Sequence, residues 1–229
     1  MLVKKKIIIA LDFKTPEEAI SLARSLDPAL CNLKVGSQLF TASGPIVVHE
    51  LKKLGFDIFL DLKFHDIPNT VYGAVQAALS MGIWMLNVHI SGGTEMMRSA
   101  RLAASKEEVP PLLIGVTILT SLSKEEASEL GIADVKLKVM DFAKLAKVNK
   151  LDGIVCSPRE IIQVKKELGD DFMVVTPGIR LQLLQKDDQK RISTAQEAIA
   201  NGADFIVLGR PITLSNNPNK ALEELLAQI

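Results

Sequence analysis

The chain has no surplus of either charge: 27 Lys and Arg balance 27 Asp and Glu, for a formal net charge of +0. With no net field to draw it to nucleic acid or to an anionic membrane, neither partner is expected, and specificity must rest on local charge. Long apolar runs are also lacking, and none reaches the roughly 18 residues of a membrane span. After Lys4, Lys5 and Lys6, only Ile7 to Leu11 precede Asp12, too short for the apolar segment of a secretory signal. Cysteine is scarce. Cys31 and Cys156 both stand in apolar runs, which reads as two reduced core thiols rather than a disulfide framework. A soluble, cytoplasmic protein is expected.

Several motifs are missing too. No Gly-rich fingerprint follows the first apolar run, which removes the main support for a dinucleotide-binding fold. No Gly-x-Ser-x-Gly elbow is present, so a Ser-His-Asp hydrolase has no support. His49, His65 and His89 form no ligand pair at helical spacing, so hydrogen-bonding or structural roles are expected of them, and no metal site.

What is present is enough apolar material, 48% of 229 residues, for one large core. A single domain over residues 1–229 is the expectation. Eight short apolar runs recur at Ile7 to Asp12, Cys31 to Gly36, Asp57 to Lys63, Trp84 to His89, Leu112 to Leu119, Gly153 to Ser157, Met173 to Gly178 and Asp204 to Gly209. Most do not alternate, as befits parallel strands covered on both faces. Helical grammar separates them. Thr15-Pro16-Glu17-Glu18 supplies a cap, a first-turn Pro and acids, and Ser193-Thr194-Ala195-Gln196 resembles a capping box. Gly55, Gly82, Gly131 and Gly202 fall where helices need a left-handed terminator. Eight β/α units in this length favour an α/β fold closed as a (β/α)8 barrel, the TIM barrel of eight parallel strands.

Such barrels place chemistry at the C-terminal ends of their strands, so the polar residues closing each run carry the information. They are Asp12, Lys34, Asp61 with Lys63, Asn87 with His89, Thr117 with Thr120, Ser157, Thr176 with Arg180, and Gly209 with Arg210. The densest stretch is Asp61 to Thr70, where two carboxylates and an ammonium crowd the end of an apolar run. Strand alternation would project Asp61 and Lys63 to one face. Asp66 stands before Ile67-Pro68, where a helix can begin with Asp as its cap. Lys34 lies among Leu33, Val35 and Gly36, either reaching solvent at the rim or joining a site. Asp12 either caps the helix near Pro16 or joins the same mouth, and if the four charges share it, each ammonium favours its neighbouring carboxylates in ionised form. Thr176-Pro177-Gly178-Ile179-Arg180 and Leu208-Gly209-Arg210-Pro211 each put Gly and Arg after a strand, in the seventh and eighth units where barrels of this kind hold phosphate.

These residues, with Lys34-Val35-Gly36, Leu119-Thr120-Ser121 and Asp187 to Arg191, resemble in order the orotidine 5'-phosphate decarboxylase family of the short bacterial type. The resemblance implies conversion of orotidine 5'-phosphate to uridine 5'-phosphate and carbon dioxide, the last step of de novo UMP synthesis, without cofactor. It implies that Lys63 protonates C6 within a charged array of Lys34, Asp61, Lys63 and Asp66. It also implies a homodimer in which Asp66, Ile67 and Thr70 reach the neighbouring site. Asp12 and Lys34 would hold ribose, Thr120 and Ser121 the base, and Arg180, Gln189, Gly209 and Arg210 the phosphate and its surroundings. Departures from the pattern fall at Ser37-Gln38, at Ile90 and in Leu181 to Lys186, a loop expected to close over the phosphate. Two alternatives stand beside this reading. One is a magnesium-dependent sugar-phosphate decarboxylase or aldolase on the same barrel, whose second-strand position usually carries a metal-binding Glu where this chain has Lys34. The other is a non-catalytic nucleotide-phosphate binding protein.

Overall fold

The computed structural model describes residues 5–180 and 193–229. Seven strands come first: β1 (Ile7–Ala10), β2 (Asn32–Gly36), β3 (Ile58–Phe64), β4 (Met85–His89), β5 (Leu112–Val116), β6 (Gly153–Val155) and β7 (Met173–Thr176). Three follow: β8 (Ile179–Arg180), β9 (Ser193–Thr194) and β10 (Phe205–Leu208). All but β8 and β9 close a parallel barrel in the order β1-β10-β7-β6-β5-β4-β3-β2, and β8 and β9 pair separately at its rim. The fold is therefore the expected (β/α)8 barrel. Every expected strand is found, but most stop before their last predicted residues, because ladder pairing ends where the chain turns into the loops over the mouth. Among the described helices, none is long and apolar enough to cross a membrane.

Two apolar clusters hold the barrel. Inside it, Ile8, Phe59, Met85, Ile114, Val175 and Phe205 pack together, with Trp84 edge-on to Phe205 at 5.1 Å between ring centroids. Outside, the opposite faces of the same strands pack on the helices, and both cysteines lie there, buried and free. Burial pushes the Cys31 thiol up to about 12 and the Cys156 thiol up as well, so both are inert packing groups. Gly153 is required by close approach: a Cβ on it would lie 2.2 Å from the Met173 carbonyl oxygen of the neighbouring strand.

The N-terminal end of the barrel is held by acids that precede strands. Asp57 pairs with Lys5 at 2.7 Å. Asp152 pairs with Arg101 and accepts the Leu113 N–H, and Asp204 pairs with Lys165 and accepts the Val174 N–H. In each of the last two, one carboxylate oxygen accepts both a backbone donor and a cation. That is a stabilising device, on the face where this architecture keeps stability rather than chemistry.

The helix signals hold with two corrections. Thr15 caps Pro16–Ala23, and the four terminating glycines have φ of 91, 64, 74 and 103° at Gly55, Gly82, Gly131 and Gly202. The capping box near β9 is made by Thr194 with Glu197, one residue later than Ser193 with Gln196, because the chain enters Ala195–Ala200 at Thr194. Asp66 does not cap Pro68–Leu79. Ile67 occupies that position without a side-chain bond, and Asp66 Oδ1 instead accepts the Ile67 N–H at 2.6 Å.

Candidate active site

The C-terminal mouth of the barrel opens into a cavity of about 430 Å³. Its floor is apolar, formed by Phe59, Val116, Val155, Val175 and Val207, and one wall is charged. That wall is a line of four side chains. Lys34 Nζ lies 3.3 Å from Asp12 Oδ1 and 3.2 Å from Asp61 Oδ2, and Lys63 Nζ lies 2.8 Å from Asp61 Oδ1. The register explains the line: Lys34 sits between Ala10 of β1 and Phe59 of β3, both of which face the cavity. Lys34 is therefore only 9% exposed and belongs to the site rather than to the rim.

Burial works against charge on both central groups and is outweighed on both. For Lys34, Asp61 and then Asp12 raise its affinity for the proton above the ordinary value despite desolvation. For Asp61, desolvation is overcome by Lys34, Lys63 and Asn87, which hold its carboxyl below the usual range. Both stay ionised at neutral pH, each charge sustained by the other.

Asp61 and Lys63 meet, but not by simple strand alternation. Lys63 has φ 52°, in the left-handed region, and pairing between β3 and β4 is irregular there. Left-handed backbone costs a residue with a Cβ about 1–2 kcal/mol. Asn87 of β4 fills the gap: its Oδ1 accepts the Lys63 N–H at 2.8 Å, and its Nδ2 donates to Asp61 Oδ1 at 2.7 Å. Beyond it, His89 lies 5.3 Å from His65, ring to ring. Burial, then His65 and Lys63, push the His89 imidazole below its ordinary value, so it is neutral at pH 7.

Of the sequence-predicted site residues, Asp12, Lys34, Asp61, Lys63, Thr120, Gly209 and Arg210 line this one cavity. Gly209 and Arg210 follow β10, and Pro177 and Gly178, with φ 80° at Gly178, follow β7, so residues of both loops lie at the same mouth. Ser121, Asp66, Ile67 and Thr70 are exposed and are not among the described lining residues. The backbone of Arg180 pairs with Thr194, but its side chain, like Gln189 and Leu181 to Lys186, lies outside the described residues. Sequence reasoning missed the apolar floor, since continuous apolar runs do not mark which residues face inward, and it counted Asn87 among the polar residues closing a strand without giving it a role. A lone polar residue between Leu86 and Val88 was the available signal.

No group of three His, Cys, Asp or Glu side chains among the described residues is disposed to hold a metal. At the second-strand position stands the Lys34 ammonium, between two carboxylates. The arrangement can hold an anionic ligand by its glycine and arginine loops, and can set an ammonium and a carboxylate side by side against it.

The sequence has named relatives over nearly its whole length. The chain is 49% identical over 225 residues to an orotidine 5'-phosphate decarboxylase of Saccharophagus degradans, covering 98% of this chain and 94% of that one. It is 52% identical over 223 residues to the same-named protein of Pseudoalteromonas translucida, covering 96% and 95%. Among solved structures, an orotidine 5'-phosphate decarboxylase from Lactobacillus acidophilus superposes with a TM-score of 0.87 at 36% identity, covering 98% of each chain. A family profile, Orotidine 5'-phosphate decarboxylase / HUMPS, matches residues 5–225, and the chain belongs to that family.

Proposed function

We propose that this chain is a carboxy-lyase that converts orotidine 5'-phosphate to uridine 5'-phosphate and carbon dioxide. It does so without cofactor, as a cytoplasmic homodimer with residues 1–229 as one catalytic domain. The observation that carries the reading is the unbroken line Asp12–Lys34–Asp61–Lys63 along one wall of the mouth, in a family whose relatives bear that name.

In this reading the C6–carboxylate bond breaks heterolytically, the electron pair stays on C6 and carbon dioxide departs. The Lys63 ammonium delivers a proton to C6, and the amine left behind is reprotonated from water. Asp61 stands beside the substrate carboxylate. Repulsion between two such charges at about 4 Å is worth roughly 4 kcal/mol at an effective dielectric near 20. A decarboxylation that leaves an unstabilised vinyl carbanion sits near the slow extreme, where catalysis supplies up to roughly 23 kcal/mol. Repulsion alone is therefore too small. The larger share falls to Lys63, held in place against charge developing at C6, and to phosphate binding by Gly209, Arg210, Arg180 and Gln189 that is realised in the transition state. Asp12 and Lys34 hold the ribose hydroxyls, and Thr120 and Ser121 the base. Asp66, Ile67 and Thr70 complete the partner's site, and their exposure in the single chain supports that placement.

The test is the loss of orotidine 5'-phosphate absorbance with a chelator present, for the parent and for Lys63→Ala. Turnover by the parent and none by the variant is expected. Equal turnover would remove Lys63 as proton donor. Activity lost to chelation and restored by magnesium would transfer the chain to the metal-dependent sugar-phosphate class.

A further inference from the structure

Between Leu60, which pairs with Leu86, and Phe64, which pairs with Val88, β3 advances four residues (64 − 60) while β4 advances two (88 − 86). The surplus sets Asp61, Leu62 and Lys63 of β3 opposite a single residue of β4, Asn87. A bulge breaks the backbone ladder and leaves donors without strand partners. Here the Asn87 side chain replaces the missing ladder, taking the Lys63 N–H on Oδ1 and giving Nδ2–H to Asp61 Oδ1. It is 1% exposed and its bond to Asp61 is buried, so that bond has no water as a substitute.

We infer that Asn87 is a positioning residue for the reaction: it clamps the bulge that holds Lys63 in its left-handed conformation and fixes the Asp61 carboxylate against both ammoniums. The inference rests on the decarboxylase reading for its kinetic consequence but not for its geometry. Three facts converge on it. Lys63 is one of only two described non-glycine residues with positive φ. Its backbone donor is satisfied by this side chain. The same Asp61 oxygen that receives Asn87 Nδ2 receives Lys63 Nζ. One amide thus sets both the main chain and the ion-pair partner of the proton donor. A hydrocarbon side chain of similar size would do neither.

Asn87→Ala removes both bonds, and because displacement of a reacting group by an ångström costs on the order of 100-fold, kcat is expected to fall by about that factor. Affinity for uridine 5'-phosphate, held mainly through its remote phosphate, should stay within about threefold. Asn87→Asp keeps an acceptor for the Lys63 N–H but turns a second carboxylate on Asp61. The acid limb of the pH profile of kcat/KM is then expected to move up by about one unit, which a merely structural role would not produce. The carboxyl titration of Asp61, followed by carbon-13 NMR in the parent and in Asn87→Asp, gives the same readout without turnover. An Asn87→Ala enzyme with kcat within about threefold of the parent would overturn the inference. So would an Asp61 titration unchanged in Asn87→Asp, including where Asn87→Ala does not fold. A parent without decarboxylase activity would instead count against the proposed function, leaving the NMR comparison to judge the clamp.

Discussion

Lys63 reaches Asp61 Oδ1 at 2.8 Å from a backbone with φ 52°, so the closest ion pair of the site is made by a residue in a conformation that side-chain-bearing residues avoid. Such strain persists only where the surroundings over-determine it, and here the barrel, the bulge and Asn87 do so. The charged wall is thus assembled at the expense of local backbone stability.

That strain is measurable apart from the ammonium. Lys63→Ala and Lys63→Gly both remove the cation and are both expected to be inactive. Glycine, however, adopts positive φ without the Cβ clash, so Lys63→Gly should be the more stable of the two by about 1 kcal/mol. Urea unfolding of the two variants checks this. Equal midpoints, or a more stable alanine variant, would show that the loop relaxes once the ammonium is gone.

The pair at the centre of the wall fixes a pH window. The Asp61 carboxyl lies below the usual 3.8 in the folded chain, so its contribution is complete above that value and is lost as pH falls through the folded one. Lys34 lies above the usual 10.5, so its contribution is complete below 10.5 and is lost as pH rises through the folded value. The stability difference between the parent and Lys34→Met/Asp61→Asn should therefore be flat between these limits and change outside them. Denaturant midpoints across pH provide the measurement. Apart from the small contribution of His89, whose imidazole also feels Asp61, a slope through neutral pH would mean that at least one of the two groups is not charged as described.

The barrel was legible in the sequence because parallel strands covered on both faces must be written as continuous apolar runs, and the mouth was legible because Asp12, Lys34, Asp61 and Lys63 interrupt or end those runs. What stayed hidden depended on three-dimensional register. The alternation rule brought Asp61 and Lys63 to one face, but it presumes extended backbone and so missed the bulge. Asn87 acquires its role only because β4 lies beside β3, 24 residues from Lys63 along the chain. Capping slipped by one residue at Thr194 because Ser193 beside it is as good a cap by type, and only the entry angle of Ala195–Ala200 selects between them.

Remote binding can be tested at Arg210, which lines the mouth but lies outside the Asp–Lys line. If phosphate affinity is expressed in the transition state, Arg210→Ala should lower kcat/KM by at least about 100-fold without touching the reacting carbon. Steady-state kinetics with orotidine 5'-phosphate measures this. A value within about threefold of the parent would confine catalysis to the charged wall.

The opposite end of the barrel should respond differently. Asp152 is bound by Arg101 and by the Leu113 N–H, so Asp152→Ala leaves a half-buried guanidinium and a buried donor unpaired. A loss of about 2 kcal/mol in unfolding free energy is expected, with kcat unchanged at temperatures where the chain is folded. Thermal unfolding beside activity separates the two effects. A kcat that fell with stability intact would show that this face communicates with the mouth.

Asp66 stands exposed with Ile67, itself 67% exposed, outside the lining of the cavity that Asp61 and Lys63 occupy. If Asp66 serves a partner's site, Lys63→Ala and Asp66→Ala homodimers are each inactive for different reasons. A mixed dimer then holds one site with both lesions and one with neither. Random mixing places half of the chains in such heterodimers, so recovery of about a quarter of parental activity is expected from an equimolar mixture refolded together. Activity measured on heterodimers purified with two different tags decides the matter. An inactive, verified heterodimer would place Asp66 in the site of its own chain.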